Sequence, residues 1–335
     1  YTAKRTKQAT KLSDLTKFRY ILSGTPITNS YLDLFSQFRI LDHGASFGTN
    51  YFSFRAKYFH NANAFIPSLR AFPKWEIKPK SQEHIAATIA GSSMRVKKED
   101  CIDLPELVRQ DIPLELSSQQ RSVYNQMESD FIAFLKEGVS VAKLAITKGL
   151  RLQQIVSGFV KLEDDKIMHF DENPRLAALK DLLEEITPDH KVLVWACFRE
   201  NYAQIRRVCD ELGLRYVEVH GDISADRKFE AVARFNEERG IRVFIGNPGA
   251  GGIGINLVSA SYSIFYSRDF NAEHFWQAQD RNFRGGSSIH PKVTRINFIA
   301  SDTLDEKIAE ALLNKTDISE AVLKDLALRG KKDES

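Results

Sequence analysis

Five short apolar runs follow one another in the second half of the chain: VLVWA (192–196), RYVEVH (215–220), RVFIG (242–246), SIFYS (263–267) and TRINFIA (294–300). Between the first two, Tyr202, Ile205, Val208 and Leu212 recur at helical spacing, and Gly213 stands where a helix C-cap belongs. Strand, helix, strand at this spacing dictates right-handed βαβ units, because parallel neighbours need a crossover long enough to hold a helix. Such strands are covered on both faces. The sequence therefore predicts an α/β domain with a parallel sheet at about 171–315.

The first half is built differently. YILSG (20–24) is its one apolar strand candidate. A helix is predicted from Ser30, since Ser30 and Asp33 have capping-box spacing and Tyr31, Leu34, Phe35, Phe38 and Leu41 form one apolar face. Residues 42–93 are rich in aromatics, Asn, Ser and Pro without clean periodicity. Another helix is predicted from Ser117 or Ser118, with Val123, Tyr124, Met127, Phe131 and Phe134 inward and Gly138 ending it. There is no internal repeat.

With 335 residues, 43% hydrophobic and 27% charged, the composition is globular and long enough for two domains. Cys101, Cys197 and Cys209 are scattered, with no CxxC and no His pair at ligand spacing, which reads as a reducing compartment without a structural zinc. No apolar run approaches the eighteen or so residues a membrane span requires, so no membrane partner is expected. Net charge is only +3, yet six cations (Lys4, Arg5, Lys7, Lys11, Lys17, Arg19) face one anion (Asp14) in the first twenty residues. The chain opens at Tyr1 without an initiator Met or a secretory signal, which reads as a segment of a longer protein.

Two segments carry chemistry. GNPGAGGIGIN (246–256) follows a strand, and Gly249, Gly251 and Gly254 satisfy GxGxxG, with Asp269 after the next strand. A dinucleotide turn, a connection that merely needs positive φ, and a loop whose N–H groups approach a phosphate all remain open. In WQAQDRNFRGG (276–286), a helix over 271–284 would set Gln277, Asp280, Arg281 and Arg284 on one face. Planar guanidinium forks match phosphate oxygens, whereas a solvated charged face is the alternative, and spacing alone does not choose. IMHFDENP (167–174) contains Asp171-Glu172 but reads as a turn before a helix opened by Pro174.

In order along the chain, LSGTPITN (22–29), MRVKKED with LPEL (94–107), LSSQQRSVY (116–124), GLRLQQIVSGF (149–159), KVLVWACF (191–198), VHGD (219–222), GNPGAGGIGINL (246–257) and QAQDRNFRGG (277–286) resemble conserved segments of one family. It is the Swi/Snf branch of the superfamily 2 helicase-like ATPases, and the resemblance covers nearly the whole chain. LSGTPITN is similar to its motif III, and the last four segments to motifs IV, IVa, V and VI. Departures are local. Asn247, Pro248 and Gly249 stand where motif V usually has Ser-Thr-Arg/Lys, and Phe283, Gly285 and Ser287 replace the usual motif VI residues around the two arginines. No GK[ST] loop is present, and Asp171-Glu172 falls on the wrong side of motif III to be the DExx box.

The resemblance implies an α/β, RecA-like parallel-sheet lobe of the P-loop NTPase helicase fold, with helical protrusions and a partial first lobe. Residues 1–115 would be the C-terminal remnant of the first lobe with a helical insertion, 116–170 a helical protrusion or connection, 171–328 the second lobe and 329–335 a frayed tail. It implies the C-terminal part of an ATP-dependent double-stranded DNA translocase, intracellular, cytoplasmic in a prokaryote or phage and nuclear in a eukaryote. ATP and Mg²⁺ would serve the intact parent, whose N-terminal RecA-like lobe would complete the site, and neither would bind this chain tightly. Arg281, Arg284 and Gln277 would be catalytic; Gly252, Gly254 and Asp280 would bind nucleotide; Thr25, Asn29, His220, Asn247, Gly251 and Asn256 would meet nucleic acid; no residue would bind a metal. A non-enzymatic nucleic-acid module on a degenerate RecA-like lobe is the alternative.

Overall fold

The computed structural model describes residues 3–23, 26–27, 30–65, 73–94, 96, 100–136, 142–162, 166–250 and 254–314. It divides into two compact units, Tyr1–Lys97 and Lys98–Ser335.

The first unit contains α1 (Lys4–Ser13), α2 (Asp33–Leu41), α3 (Tyr51–Tyr58), a small antiparallel pair β1 (Phe59–Asn61) and β2 (Trp75–Ile77), and α4 (Ser81–Ala90). Its core is aromatic: Phe35, Phe38, Phe47, Phe54, Tyr58 and Phe59 pack with Leu34 and Ile85. This explains the missing periodicity of 42–93, since large rings fill a core from short elements. Only half of the predicted Ser30–Asp33 box forms: Ser30 N–H donates to Asp33 Oδ2 (3.3 Å), while Ser30 Oγ accepts from Leu32 N–H (3.2 Å) and not from Asp33, and the regular helix starts at Asp33. The strand predicted at 20–24 does not form over its described residues. Tyr20 is 83% and Leu22 98% exposed, and an extended segment without a ladder partner is not a strand.

The second unit is organised by a six-stranded, all-parallel sheet in the order β3-β10-β9-β6-β8-β7. Its strands are β3 (Glu106–Leu114), β6 (Val192–Trp195), β7 (Arg215–Val219), β8 (Ile241–Gly246), β9 (Tyr262–Phe265) and β10 (Lys292–Ala300). The five strands read from sequence are present. The sixth, β3, belongs to the segment grouped by sequence with residues 1–115, and it pairs with β10 along its whole length. Polar Arg109-Gln110-Asp111 and Pro113 hide it in the sequence, and both are tolerated because the strand lies at the sheet edge.

Both faces are covered. On one, α7 (Pro174–Ile186) and α8 (Arg199–Glu211) pack on Val192, Val194, Val243, Ile245, Ile264 and Ile296. On the other, α9 (Ala225–Glu237) and α10 (Ala272–Gln279) meet Leu193, Trp195, Val217, Phe244 and Phe265. Alternate residues of β6 thus serve opposite faces, as strand geometry requires. Pro174 opens α7 with the Asn173 side chain as its cap, and α8 ends on Gly213 at φ +64°.

Helices α5 (Ser118–Lys136) and α6 (Ala142–Val156), followed by the hairpin β4 (Phe159–Lys161) and β5 (Ile167–His169), form a further layer with α11 (Leu304–Asn314). Tyr124 and Phe131 are buried as the periodicity predicts, and Val123 and Met127 pack beside them. The Phe134 side chain and Gly138 lie outside the described residues. Among those residues, no helix is long and apolar enough to cross a membrane.

One buried ionic cluster ties α7, the β9 end and α11 together. Asp305 pairs with Arg175 and, at 3.5 Å, with Arg268, all three being 3% exposed. Burial alone would push the Asp305 carboxyl up, but the two guanidinium groups outweigh it and hold it below the usual carboxylate range. A lowered folded-state value means that this stabilisation is present above the unfolded carboxylate range and is lost as pH falls through the folded value. Asp305→Ala leaves two buried cations without their anion, so urea unfolding at neutral pH should show a loss of about 3–5 kcal/mol. In acid, below the folded value, the gap to wild type should shrink; a gap that widens there would contradict the assignment.

Candidate functional site

Because all six strands are parallel, their C-terminal ends face one edge. The chain runs from β6 to β7 and back to β8 on one side, then crosses over β6 to β9 and on to β10. This reversal is where an open α/β sheet leaves a crevice for a ligand.

The glycine loop leaves that edge after β8. Asn247 builds its first turn: Oδ1 accepts from the N–H groups of Gly249 (2.9 Å) and Ala250 (3.0 Å), while Nδ2 donates to Tyr202 Oη (2.9 Å) and the Ala196 carbonyl (3.4 Å). Its amide is fully committed to the loop's shape. Gly249 is required by contact, since a Cβ there would lie 2.7 Å from the His274 ring. His274 is itself held by Asp269 at 2.7 Å. Gly254 sits at φ +70°, a backbone conformation that favours glycine. Residues 254–261 form turns rather than a helix, so a dinucleotide fingerprint has no helix N-terminus over these residues to receive a pyrophosphate.

The loop returns to meet the turn after α10. Arg281 Nη1 and Arg284 Nη1 both donate to the carbonyl oxygen of Ile255, at 3.5 and 3.4 Å, and Leu257 N–H donates to the Arg281 carbonyl at 3.0 Å. Asn282, fully buried, donates to the Ala260 carbonyl at 3.2 Å. Arg281 is only 8% exposed, and burial, followed by the nearby positive charge of Arg284, lowers its pKa against the opposing charge of Asp280.

The predicted helix over 271–284 is corrected here. It ends at Gln279, so Gln277, Asp280, Arg281 and Arg284 do not share a helical face. The ladder is lost where Asp280 N–H turns to the Gln277 carbonyl and Arg281 N–H to that of Ala278, a tighter i→i−3 turn that closes the helix. Arg295 Nη2 donates to the Gln279 carbonyl (2.9 Å) and Leu257 N–H to that of Arg281, so carbonyls left free past the helix end are satisfied by distant donors. The arginines converge through a turn instead. Gln277 bonds Glu273 one turn back at 2.7 Å, and Asp280 is exposed at the helix cap.

His220, after β7, is 7% exposed and stacks on Tyr202 with ring centroids 4.6 Å apart. Both its ring nitrogens are buried without a hydrogen bond, each 3.8 Å from a carboxylate oxygen, Glu218 on one side and Asp222 on the other. Burial pushes Tyr202 up to about 12, opposed by its bond from Asn247. The Asn256 side chain is exposed and its carbonyl accepts from Asn236 at 2.8 Å. Thr25, Asn29, Gly251 and Gly252 lie outside the described residues. Sequence reading missed Tyr202, taken as a core residue, and Arg295, inside an apolar strand; a charge in a strand covered on both faces was the available signal.

The chain is similar to known proteins over most of its length. The family model for the SNF2-related domain matches residues 2–163 and that for the helicase conserved C-terminal domain matches 174–286, so the pair spans most of the chain in tandem. An uncharacterized ATP-dependent helicase of Mycoplasma genitalium is 25% identical over 323 residues, covering 95% of this chain and 29% of that protein. The human TATA-binding protein-associated factor 172 is 25% identical over 378 residues, covering 95% and 20%. The chain thus spans less than a third of the length of these two relatives. A putative protein p41 of Acyrthosiphon pisum secondary endosymbiont phage 1 is 24% identical, covering 96% and 67%. The fold is shared with the Sulfolobus solfataricus SWI2/SNF2 ATPase core solved in complex with dsDNA, at TM-score 0.53 and 23% identity over 92% of this chain and 64% of that one. With motifs III to VI in order, two tandem family matches and a RecA-like parallel sheet, the chain belongs to the Swi/Snf-type branch of the superfamily 2 helicase-like ATPases.

Proposed function

We propose that this chain is the C-terminal part of an ATP-dependent double-stranded DNA translocase, in which Arg281 and Arg284 complete a nucleotide pocket. The observation that carries the reading is the convergence of their two guanidinium groups on the Ile255 carbonyl, where the loop after β8 meets the turn after α10.

The residues present fit a polyphosphate. Two guanidinium groups within reach of one oxygen gather positive charge at the loop, and an anionic phosphoryl oxygen would offset the burial and the Arg284 charge that together lower Arg281. No step is assigned to a metal here. When bound, ATP supplies the phosphoanhydride whose cleavage powers movement along DNA. Arg281 and Arg284 would stabilise negative charge developing on the transferred phosphoryl group, as arginine fingers do. Asp280 would orient Arg281 by its charge, and Gln277 would brace α10 through Glu273. Gly252 and Gly254 would let the backbone approach the nucleotide. The phosphate-gripping GK[ST] loop and the DExx box would come from an N-terminal lobe outside this sequence.

Charge distribution supports a nucleic-acid partner. Residues 1–97 hold fifteen Lys and Arg against five Asp and Glu, a net +10, so the remaining chain is −7 within the overall +3. A polyanion would therefore be gripped chiefly by the first unit, through phosphates rather than base edges. Thr25, Asn29, Gly251 and Asn256 would add contacts to the strand. His220 would contribute its loop backbone, because its ring nitrogens are buried.

Phosphate release measured with duplex DNA and Mg-ATP should show no turnover by this chain alone, since half the site is absent from it. Turnover that Arg284→Ala abolishes would contradict that. In the full-length protein, Arg281→Ala or Arg284→Ala should cost about 10³-fold or more in DNA-stimulated kcat. Duplex binding by this chain should weaken steeply and log-linearly between low and physiological salt, whatever the sequence. A salt-insensitive, sequence-selective complex would contradict the backbone reading.

A further inference from the structure

Arg295 is an expensive residue to keep where it stands. It lies in β10, 4% exposed, between Thr294 and Ile296, which are also buried. Burial, opposed by the charge of Asp280, lowers its pKa to about 10, and its Nε makes no hydrogen bond. Across the ladder its register partner is another cation, Arg109. Its hydrogen bonds go to Gln279 rather than to a carboxylate. A buried guanidinium under these conditions stabilises the fold poorly.

What Arg295 does hold is the turn after α10, from both ends. Nη1 donates to the Gln279 side-chain oxygen at 3.1 Å and Nη2 to the Gln279 carbonyl at 2.9 Å, a forked grip on the last residue of the helix. Four residues on, the Phe283 ring lies under the same guanidinium, 5.2 Å from centroid to Cζ. Arg281 lies between these two contacts and Arg284 directly follows them. One planar group therefore grips the last residue of the helix and contacts the turn four residues further on. Lysine could not do this, since a point charge can neither fork across one residue nor stack on a ring as a plane.

We propose that Arg295 is a positioning residue that presents Arg281 and Arg284 to the nucleotide by clamping Gln279 and Phe283. The inference rests on the nucleotide reading of the arginine pair. It assigns a role to a strand residue outside the motif-like segments, and it gives Phe283, which interrupts the family pattern, a function as the clamp's second jaw.

Two measurements test it. In the 335-residue chain, amide hydrogen exchange should be about tenfold or more faster at Leu257 and Arg281 in Arg295→Met and Arg295→Lys, because the turn's anchor is lost. Amides of β6 and β8 should keep wild-type rates, which also reports that the sheet is folded. In the full-length protein, the same variants should lower DNA-stimulated kcat about 10²-fold, the scale of an ångström-sized misplacement, with KM for ATP within about twofold of wild type. Phe283→Leu should give a smaller loss in the same direction. Wild-type kcat in both Arg295 variants beside an impaired Arg281→Ala would overturn this inference alone. Unchanged exchange at Leu257 and Arg281 would overturn it too. Full activity of Arg281→Ala would instead overturn the nucleotide reading, and the proposal with it.

Discussion

Arg281 and Arg284 both donate to one acceptor, the Ile255 carbonyl, so two positive charges meet at a single neutral oxygen. Two like charges brought this close repel, and the surrounding fold holds them there. Three captured carbonyls do so. Leu257 N–H takes the Arg281 carbonyl, Arg295 takes that of Gln279, and Asn282 takes that of Ala260. Each bond joins segments distant in sequence, and together they hold the glycine loop against the arginine turn.

The parallel sheet makes these meetings possible. Strands β6, β8 and β9 lie side by side, so the loops that leave their C-terminal ends share one edge although tens of residues separate them. Asn247 closes the glycine loop onto Tyr202 and Ala196, and His274 fills the space that a side chain at position 249 would need. The Arg175–Asp305–Arg268 cluster fastens α7 and α11 to the end of β9. Stability and presentation are thus handled by different groups: the ionic cluster of Asp305 with two arginines, and the Arg281–Arg284 pair.

Much of the sheet was legible in sequence, because β-branched runs covered on both faces have little alternative. Val192–Trp195 and Ile241–Gly246 are almost wholly buried, and their composition says so. Pro174 and Gly213 likewise announced a helix start and a helix stop through backbone geometry intrinsic to the residue. Features settled by a distant partner were not legible. Strand β3 depends on β10 almost 200 residues away, and its own Pro113 argues against it. Tyr20–Leu22 has the composition of a strand but no ladder partner among the described residues. The carbonyl of Gln279 at the end of α10 is taken by Arg295, sixteen residues further on, which no local periodicity reports. The arginine pair was found by residue type and order, whereas its convergence on Ile255 needed three dimensions.

The most direct measurement is a structure of the full-length protein bound to duplex DNA and ADP with a beryllium fluoride mimic of the γ-phosphate. The account places the Arg281 and Arg284 guanidinium groups within hydrogen-bonding distance of the fluoride ligands, released from the Ile255 carbonyl, with Arg295 still on Gln279. Finding the nucleotide held while both guanidinium groups stay on that carbonyl, out of reach of the mimic, would contradict it.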